Sequence, residues 1–302
     1  DSLVRLDLSL AHPRSNDQNV PHMDDYTHHN VKTLQNDPGV HPKHSGWTDV
    51  HWHPTLPPLV DDPLAVVLRA REAGVTRLVA TGYDLESSRA VVELAQEASG
   101  VYPAVGYHPW YLDDSLNLTP LESLAALPQV IAVGEIGLDG KVDIPMDLQL
   151  RWFHDQLTLA KSLSLPVVVH SRKAIPETLR ALQSHPDQTV VLHSFGGSGQ
   201  SARPFVELGC YFSFSGTVTR ANARKPLSLL RSLPTDRILL ETDAPSIGLE
   251  GVKSPDVEPR HVPVIAGVMA EKLSMDLDTL RQQVARNTEA CFGLTQVTHW
   301  KD

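Results

Sequence analysis

The stretch T-D-V-H-W-H, residues 48–53, decides how the rest of the chain is interpreted. His51 and His53 lie two positions apart, and residues i and i+2 of an extended strand point to the same face. Both imidazoles would then converge on one place, as two ligands of a metal ion do. The stretch therefore predicts a strand with a polar face, and the residues C-terminal to it decide in which fold that strand lies.

Short β-branched runs come after this strand and alternate with amphipathic segments. The further strand candidates are residues 76–82, 101–108, 130–137, 165–171, 189–195, 210–216 and 237–243. Helices are predicted at 62–74, which ends at a glycine, and at 147–163, which carries an apolar stripe. Eight strands with intervening helices over about 250 residues predict an α/β fold, a (β/α)8 TIM barrel. A doubly wound open sheet is the alternative.

Side chains of the metal-ligand type occur at or near the C-terminal ends of these strands. They are His53, His108, Glu135, His170, His193 and Asp243. In a barrel those ends meet on one face, which is where barrel enzymes carry their active sites. A random scatter would not put such a residue on six of eight strands, so the placement favours the barrel with a metal site at that face.

Each of these residues has an ordinary alternative when it is taken alone, such as a hydrogen-bonded loop histidine or a helix N-cap. Taken together they need partners, because buried polar groups are costly when unpaired. Imidazole nitrogen and carboxylate oxygen suit zinc or manganese, and carboxylates also accept magnesium. We therefore expect divalent metal ions (Mg, Mn or Zn), two or more of them.

The expected ligand set favours hydrolysis of a phosphoester or an amide. Glu135 can bridge two ions through its two oxygens, and Asp243 would hold one ion and accept a proton from the nucleophilic water. No P-loop, no dinucleotide-binding glycine motif after a strand and no G-x-S-x-G elbow occurs. Nucleotide triphosphatase, oxidoreductase and serine hydrolase chemistry are therefore not indicated.

The composition narrows the class of protein further. The formal net charge of −10 argues against nucleic-acid binding through a broad basic surface. It does not exclude a nuclease whose bound dications offset the charge locally. Only Cys210 and Cys291 occur and no long apolar run is present, so we expect a cytoplasmic enzyme without a disulfide framework or membrane segment.

Residues 1–47 differ from the remainder of the chain. They are rich in His, Asp, Asn and Pro and have no helical or strand periodicity. We expect an irregular N-terminal extension there, followed by a hydrolase domain over residues 48–302. The histidines of the extension are irregularly spaced, so they are not assigned to the metal site.

Six blocks in this sequence resemble the TatD family of metal-dependent hydrolases. They are D-V-H-W-H (49–53), V-G-Y-H-P-W (105–110), V-G-E-I-G-L-D (133–139), V-V-H-S-R (168–172), L-H-S-F-G-G-S (192–198) and L-L-E-T-D-A-P (239–245). Their order and spacing match over roughly residues 48–294. The resemblance implies a TIM barrel of the amidohydrolase type with divalent-metal-dependent deoxyribonuclease activity.

The resemblance also implies roles for individual residues. In the family pattern the histidine pair of the first strand corresponds to His51 and His53, and the bridging glutamate to Glu135. The next ligands correspond to His170 and His193, and the final aspartate to Asp243. His108 would lie beside the substrate phosphate. Arg172 resembles a phosphate contact, with a salt bridge at the barrel rim as the alternative.

Three functions are compatible with these residues. The first is a DNA exonuclease acting at a strand end, where Trp110 and Tyr111 would stack a terminal base or else pack within their loop. The second is a small-molecule amidohydrolase or phosphoesterase on the same metal site. The third is a catalytically idle metal-binding protein, which the intact ligand set disfavours. We expect a DNA substrate, no membrane and no obligate protein partner.

Overall fold

The computed structural model describes residues 46–294 of the protein. The expected extension, 1–47, lies outside these residues except for Gly46 and Trp47. Trp47 is already the first residue of β1, one position before the predicted start of the domain.

Eight parallel strands pair in the order of the sequence, from β1 to β8. They are β1 Trp47–Trp52, β2 Val75–Thr81, β3 Val101–Val105, β4 Ala132–Asp139, β5 Val167–Arg172, β6 Val190–Leu192, β7 Tyr211–Phe214 and β8 Ile238–Leu240. Each overlaps a predicted strand, and a parallel bridge between Trp52 and Ala244 joins the two ends of the sheet. The prediction of a (β/α)8 barrel is therefore confirmed.

A helix follows every strand, and one more helix follows the last. They are α1 Pro63–Glu72, α2 Leu85–Glu97, α3 Leu118–Ala125, α4 Met146–Ser162, α5 Ile175–Gln183, α6 Gly199–Glu207, α7 Arg224–Ser232, α8 Val262–Leu273 and α9 Leu277–Phe292. The predicted start of the first helix is correct, because the Asp62 side chain accepts a hydrogen bond from the Ala65 amide and Pro63 occupies the first turn.

The barrel interior holds a layer of apolar side chains, largely one from each strand. Val50, Val79, Ala104, Ala132, Val168, Val191 and Leu239 belong to this layer, and Tyr211 with the end of α9 closes it at the amino-terminal side of the sheet. Residues on the alternate positions pack outward against the helices, as strand geometry requires. The polar side chains of the site lie further along the same strands, above this floor.

Barrel closure between β8 and β1 is made by residues of two sequence blocks. The Asp49 carboxylate accepts hydrogen bonds from the Thr242 amide at 3.0 Å and the Thr242 hydroxyl at 2.5 Å. The Asp243 amide donates to the His51 carbonyl at 2.9 Å, and the His53 amide donates to the Ala244 carbonyl at 2.8 Å. Closure therefore brings the first and the last of the six sequence blocks, 49–53 and 239–245, next to each other.

Two strands carry register irregularities at the places that matter for the site. In β1 the pairing with β2 shifts between Asp49 and Trp52, and in β4 the pairing with β5 shifts between Val133 and Ile136. An extra residue in one strand changes which side chains face inward beyond that point. As a result Val50 joins the apolar floor while its neighbour His51 also reaches the site.

Candidate metal centre

The Glu135 carboxylate is the centre of a buried cluster of imidazoles. Five histidine nitrogens lie close to it: His193 Nε2 at 2.8 Å, His170 Nδ1 at 2.9 Å, His108 Nε2 at 3.2 Å, His53 Nε2 at 3.3 Å and His51 Nε2 at 3.4 Å. Asp243 Oδ1 lies 3.5 Å from His53 Nε2 and 3.7 Å from His51 Nε2. The structure thus brings together all residues that the sequence pattern had placed at the strand ends.

The two oxygens of Glu135 face different groups of side chains. Oε2 faces the His51 and His53 pair, beside which Asp243 lies. Oε1 faces His170 and His193, and also His108. Each oxygen of the carboxylate therefore faces its own group of possible metal ligands. This arrangement suits two neighbouring cations.

The partners behind the rings indicate which nitrogen of each imidazole carries a proton. His53 Nδ1 lies 3.0 Å from the Thr81 carbonyl, which can only accept, so in the neutral ring Nε2 turns a lone pair toward Glu135. His108 Nδ1 instead accepts from the Trp110 amide at 3.2 Å, so its Nε2 carries the proton. His53 is therefore prepared to bind a cation, whereas His108 is prepared to donate a hydrogen bond.

Ionisation of the cluster follows from the same contacts. Burial lowers the pKa of His53, but the Asp243 and Glu135 carboxylates outweigh burial and raise its pKa to about 10. Burial also raises the pKa of Glu135, yet the His108 and His193 imidazoles hold that pKa well below its usual range. Protons thus compensate the carboxylates in the protein alone, and divalent cations can replace those protons.

Glu241 supports His193 from behind, although its position in the sequence did not mark it as a site residue. One oxygen accepts a hydrogen bond from the Ser213 hydroxyl at 2.5 Å, and the other lies 3.7 Å from His193 Nδ1. At 3.7 Å the two atoms form no hydrogen bond, so Glu241 acts on the His193 ring through its charge. The signal was present in E-T-D (241–243), because Glu241 and Asp243 are two positions apart, the spacing of residues on one face of an extended strand.

Asp49 and Asp139 are the other buried carboxylates that the sequence pattern left unassigned. Asp49 precedes His51 by two positions, and burial raises its pKa to about 8 in spite of its hydrogen bonds to Thr242. Burial also raises the pKa of Asp139, but hydrogen bonds from His170 and Trp110 outweigh it and lower the pKa to about 2. Asp49 lies two positions before His51, and Asp139 lies four positions after Glu135. This even spacing was the signal in the sequence that could have assigned both carboxylates to the site.

Aromatic side chains form the rim of the site. Trp110 is 48% exposed and Tyr111 is 42% exposed, although both follow the buried His108. Tyr111 stacks on Tyr83 with ring centroids 4.9 Å apart, and Tyr83 contacts His53 edge-on. Large apolar rings that remain accessible beside a polar cluster are available for stacking on a substrate.

Arg172 has features of both roles that the sequence left open. Its guanidinium Nη1 lies 3.7 Å from Asp139 Oδ2, and its side chain is 55% exposed. At this separation the two groups form no hydrogen bond, and the guanidinium is open to solvent, so the pair contributes little to stability. The guanidinium therefore remains available to an approaching anion at the rim.

Two further histidines, His154 and His185, lie apart from the cluster. His154 Nδ1 is 3.0 Å from His185 Nε2, and neither is among the groups of described residues that could hold an ion. Those groups are His51–His53–Glu135, His51–His193–Asp243 and His108–Glu135–His170. His108 Nδ1 accepts a hydrogen bond from the Trp110 amide, which leaves the ring proton on Nε2, so His108 faces the cluster as a hydrogen-bond donor and not as a metal ligand.

Gly137 allows β4 to pass close to β5 at His170. It has φ +136, and a Cβ there would meet the His170 carbonyl oxygen at 2.1 Å. We expect Gly137→Ala to displace His170 and to destabilise the protein by about 2–3 kcal/mol through backbone strain and the clash. Gly267→Ala is the matched control, because no atom lies within 4 Å of its Cβ and α8 favours alanine. Equal unfolding midpoints in urea for the two variants would contradict this.

No helix in the described range, 46–294, is long and apolar enough to cross a membrane.

The sequence matches a known family over nearly the whole described range. The family profile described as "TatD related DNase" matches residues 48–293. A Bacillus subtilis protein, YabD, named an uncharacterized metal-dependent hydrolase, is 31% identical over 82% of this chain and 98% of that protein. A Citrobacter rodentium protein named 3'-5' ssDNA/RNA exonuclease TatD is 34% identical over the same share of both chains, 82% and 98%.

The fold also matches a solved structure whose sequence is similar to that of this chain. The crystal structure of YJJV, a TATD homolog from Escherichia coli, superposes with a TM-score of 0.77 at 33% sequence identity. The match covers 82% of this chain and 98% of that one. Sequence and fold therefore point to the same relatives.

Proposed function

Since this chain belongs to the TatD family of metal-dependent hydrolases, we propose that it removes nucleotides from the 3′ end of single-stranded DNA. The relatives named 3'-5' ssDNA/RNA exonuclease support this direction and substrate class. They share about a third of their residues with this chain.

The observation that carries the proposal is the division of donors around Glu135. One oxygen faces the His51 and His53 pair, and the other faces His170 and His193. We propose that these residues, together with Glu135 and Asp243, would hold divalent cations. The donor set fits such ions, because nitrogen and carboxylate ligands suit zinc and manganese, and carboxylates also accept magnesium.

When bound, the cations would lower the pKa of a water molecule and offset charge on the phosphate. Asp243 then accepts the proton of the attacking water. The water oxygen bonds to phosphorus and the bond from phosphorus to the 3′ oxygen breaks. The products are a 5′-mononucleotide and a shortened strand, whose 3′ oxygen takes up a proton.

Other side chains of the site orient the substrate. His108 presents its Nε2 proton toward the centre of the cluster and would donate to a phosphate oxygen. Arg172, at the rim, would pair with a phosphate further along the strand. Trp110 and the stacked Tyr83 and Tyr111 rings would receive terminal bases, which favours a nucleic acid over a small amide.

The test is digestion of a single-stranded oligonucleotide labelled at its 5′ end, with Mg²⁺ or Mn²⁺ added to metal-stripped protein. We expect a ladder of products that shortens one nucleotide at a time. An oligonucleotide with phosphorothioate linkages at its 3′ end is the matched substrate, and it should be degraded much more slowly. The same substitution at the 5′ end should have little effect.

Two results would contradict the proposal. Cleavage that begins at the 5′ end, or inside the strand, would contradict the polarity. Absence of cleavage with every divalent ion, together with turnover of a dipeptide or a phosphotriester, would favour the small-molecule hydrolase in its place.

A further inference from the structure

We propose that Asp139 is the positioning residue that sets which nitrogen His170 presents to a metal ion and where Trp110 lies at the rim. The proposal rests on the proposed function, in which His170 is a ligand. The single side chain of Asp139, on β4, thereby connects the metal cluster with the stacking surface.

One oxygen of Asp139 serves both sides of the site. Oδ2 accepts a hydrogen bond from the Trp110 indole at 2.7 Å and lies 3.2 Å from His170 Nε2. Oδ1 accepts from the Lys141 amide at 2.8 Å. The side chain is fully buried, so water cannot replace these partners at low cost.

The backbone of Asp139 is itself held in place. Gln149, on α4, accepts a hydrogen bond from the Asp139 amide at 2.8 Å and donates to the Asp139 carbonyl at 3.1 Å. The same side-chain amide of Gln149 also donates to the Ile144 carbonyl at 2.8 Å. A carboxylate clamped on a strand positions its partners more sharply than one on a free loop.

His170 needs such a partner because it faces Glu135 through the opposite nitrogen from its neighbours. Its Nδ1 lies 2.9 Å from Glu135 Oε1, whereas His51, His53 and His193 each present Nε2. Nδ1 binds a cation only when it is unprotonated. An ionised carboxylate at Nε2 keeps the proton on that nitrogen and leaves the Nδ1 lone pair free.

Trp110 is anchored at two points. Its backbone amide donates to His108 Nδ1 at 3.2 Å, and its indole donates to Asp139. Trp110 nevertheless stays 48% exposed, and its ring centroid lies 5.1 Å from the His108 ring. The hydrogen bond to Asp139 thus fixes the ring at a set distance from the cluster and leaves its surface free for a base.

Asp139→Asn tests the proposal, because an amide cannot accept hydrogen bonds on both sides. Either its NH2 group faces His170 and Trp110, or it faces the Lys141 amide. In ¹⁵N spectra of zinc-loaded wild-type protein, we expect His170 to carry its proton on Nε2 and to bind through Nδ1. In Asp139→Asn we expect that signature to be lost and zinc affinity to fall about 10–100-fold.

Two further variants separate positioning from general damage. Trp110→Phe removes the indole donor and part of the stacking surface but leaves the metal ligands in place, so zinc affinity should stay within about twofold of wild type while KM for single-stranded DNA rises. Glu258→Gln is the matched control, because it neutralises a carboxylate paired with Arg69 at 2.8 Å outside the cluster. Its zinc affinity and His170 spectrum should equal those of wild type.

The outcomes are distinguishable from failure of the proposed function. Asp139→Asn that binds zinc as tightly as wild type, with an unchanged His170 spectrum, would overturn the proposal. Wild-type protein with the His170 proton on Nδ1 would also overturn it, even if the variant does not fold. If only the exonuclease proposal is wrong, zinc-loaded wild-type protein will show the expected His170 spectrum and will not cleave DNA.

Discussion

Replacing Glu135 by Gln is expected to reduce metal-dependent hydrolysis by about 1,000-fold or more. Five histidine nitrogens lie within 3.4 Å of this one carboxylate, and both its oxygens are in use. The amide keeps the shape but loses the charge, and its NH2 group turns protons toward imidazole lone pairs. A metal centre contributes several kcal/mol to the transition state, and each 1.4 kcal/mol is about a factor of ten in rate.

The measurement is kcat/KM on the labelled oligonucleotide with saturating Mn²⁺, together with the metal content of the dialysed protein. Glu258→Gln is the matched control, since it makes the same chemical change at a carboxylate that pairs with Arg69. We expect that control to retain wild-type kcat/KM. Cleavage by Glu135→Gln within threefold of wild type would remove Glu135 from the centre of the mechanism.

Removal of the metal ions is expected to lower the melting temperature. For each site that was saturated before removal, the expected decrease is about 8–16 °C. A ligand present at about 1,000 times its Kd stabilises the native state by about 4 kcal/mol, and 1 kcal/mol shifts Tm by about 2–4 °C in a domain of this size. The cluster is buried, so the metal-free protein must compensate Glu135 and Asp243 with protons on the imidazoles. Bound cations relieve that requirement.

Thermal unfolding of chelator-treated protein, titrated with Mg²⁺, Mn²⁺ or Zn²⁺, measures the shift and ranks the ions. Glu135→Gln provides the reference, because it should show a much smaller rise in Tm with the same ions. A wild-type Tm that is unchanged up to millimolar concentrations of every ion would contradict metal binding at this cluster.

Strand number, helix periodicity and the kinds of residue at the strand ends were all readable in the sequence. The reason is that side-chain alternation and helical periodicity are local consequences of backbone geometry. Boundaries were less accurate: β3 ends at Val105, and His108 lies beyond it as the cap of a short 3₁₀ helix, Pro109–Tyr111. Strand pairing stops there because the chain leaves the sheet to form the rim.

The supporting carboxylates could not be assigned from sequence alone. Asp49 and Thr242 are almost two hundred positions apart, and they meet only because the barrel closes. Asp139 was part of a recognised block, yet its hydrogen bonds to His170 and Trp110 depend on three different strands and loops. Contacts of this kind are set by packing and not by local pattern.

Strand periodicity and strand order are enough to predict, from the sequence, a barrel with histidines and carboxylates on one face. The use of T-D-V-H-W-H, in contrast, depends on how the strands pair in the folded protein. The register shift in β1 lets Val50 join the apolar floor while His51 and His53 both reach Glu135. The shift depends on how β1 pairs with β2, which no spacing within β1 reveals.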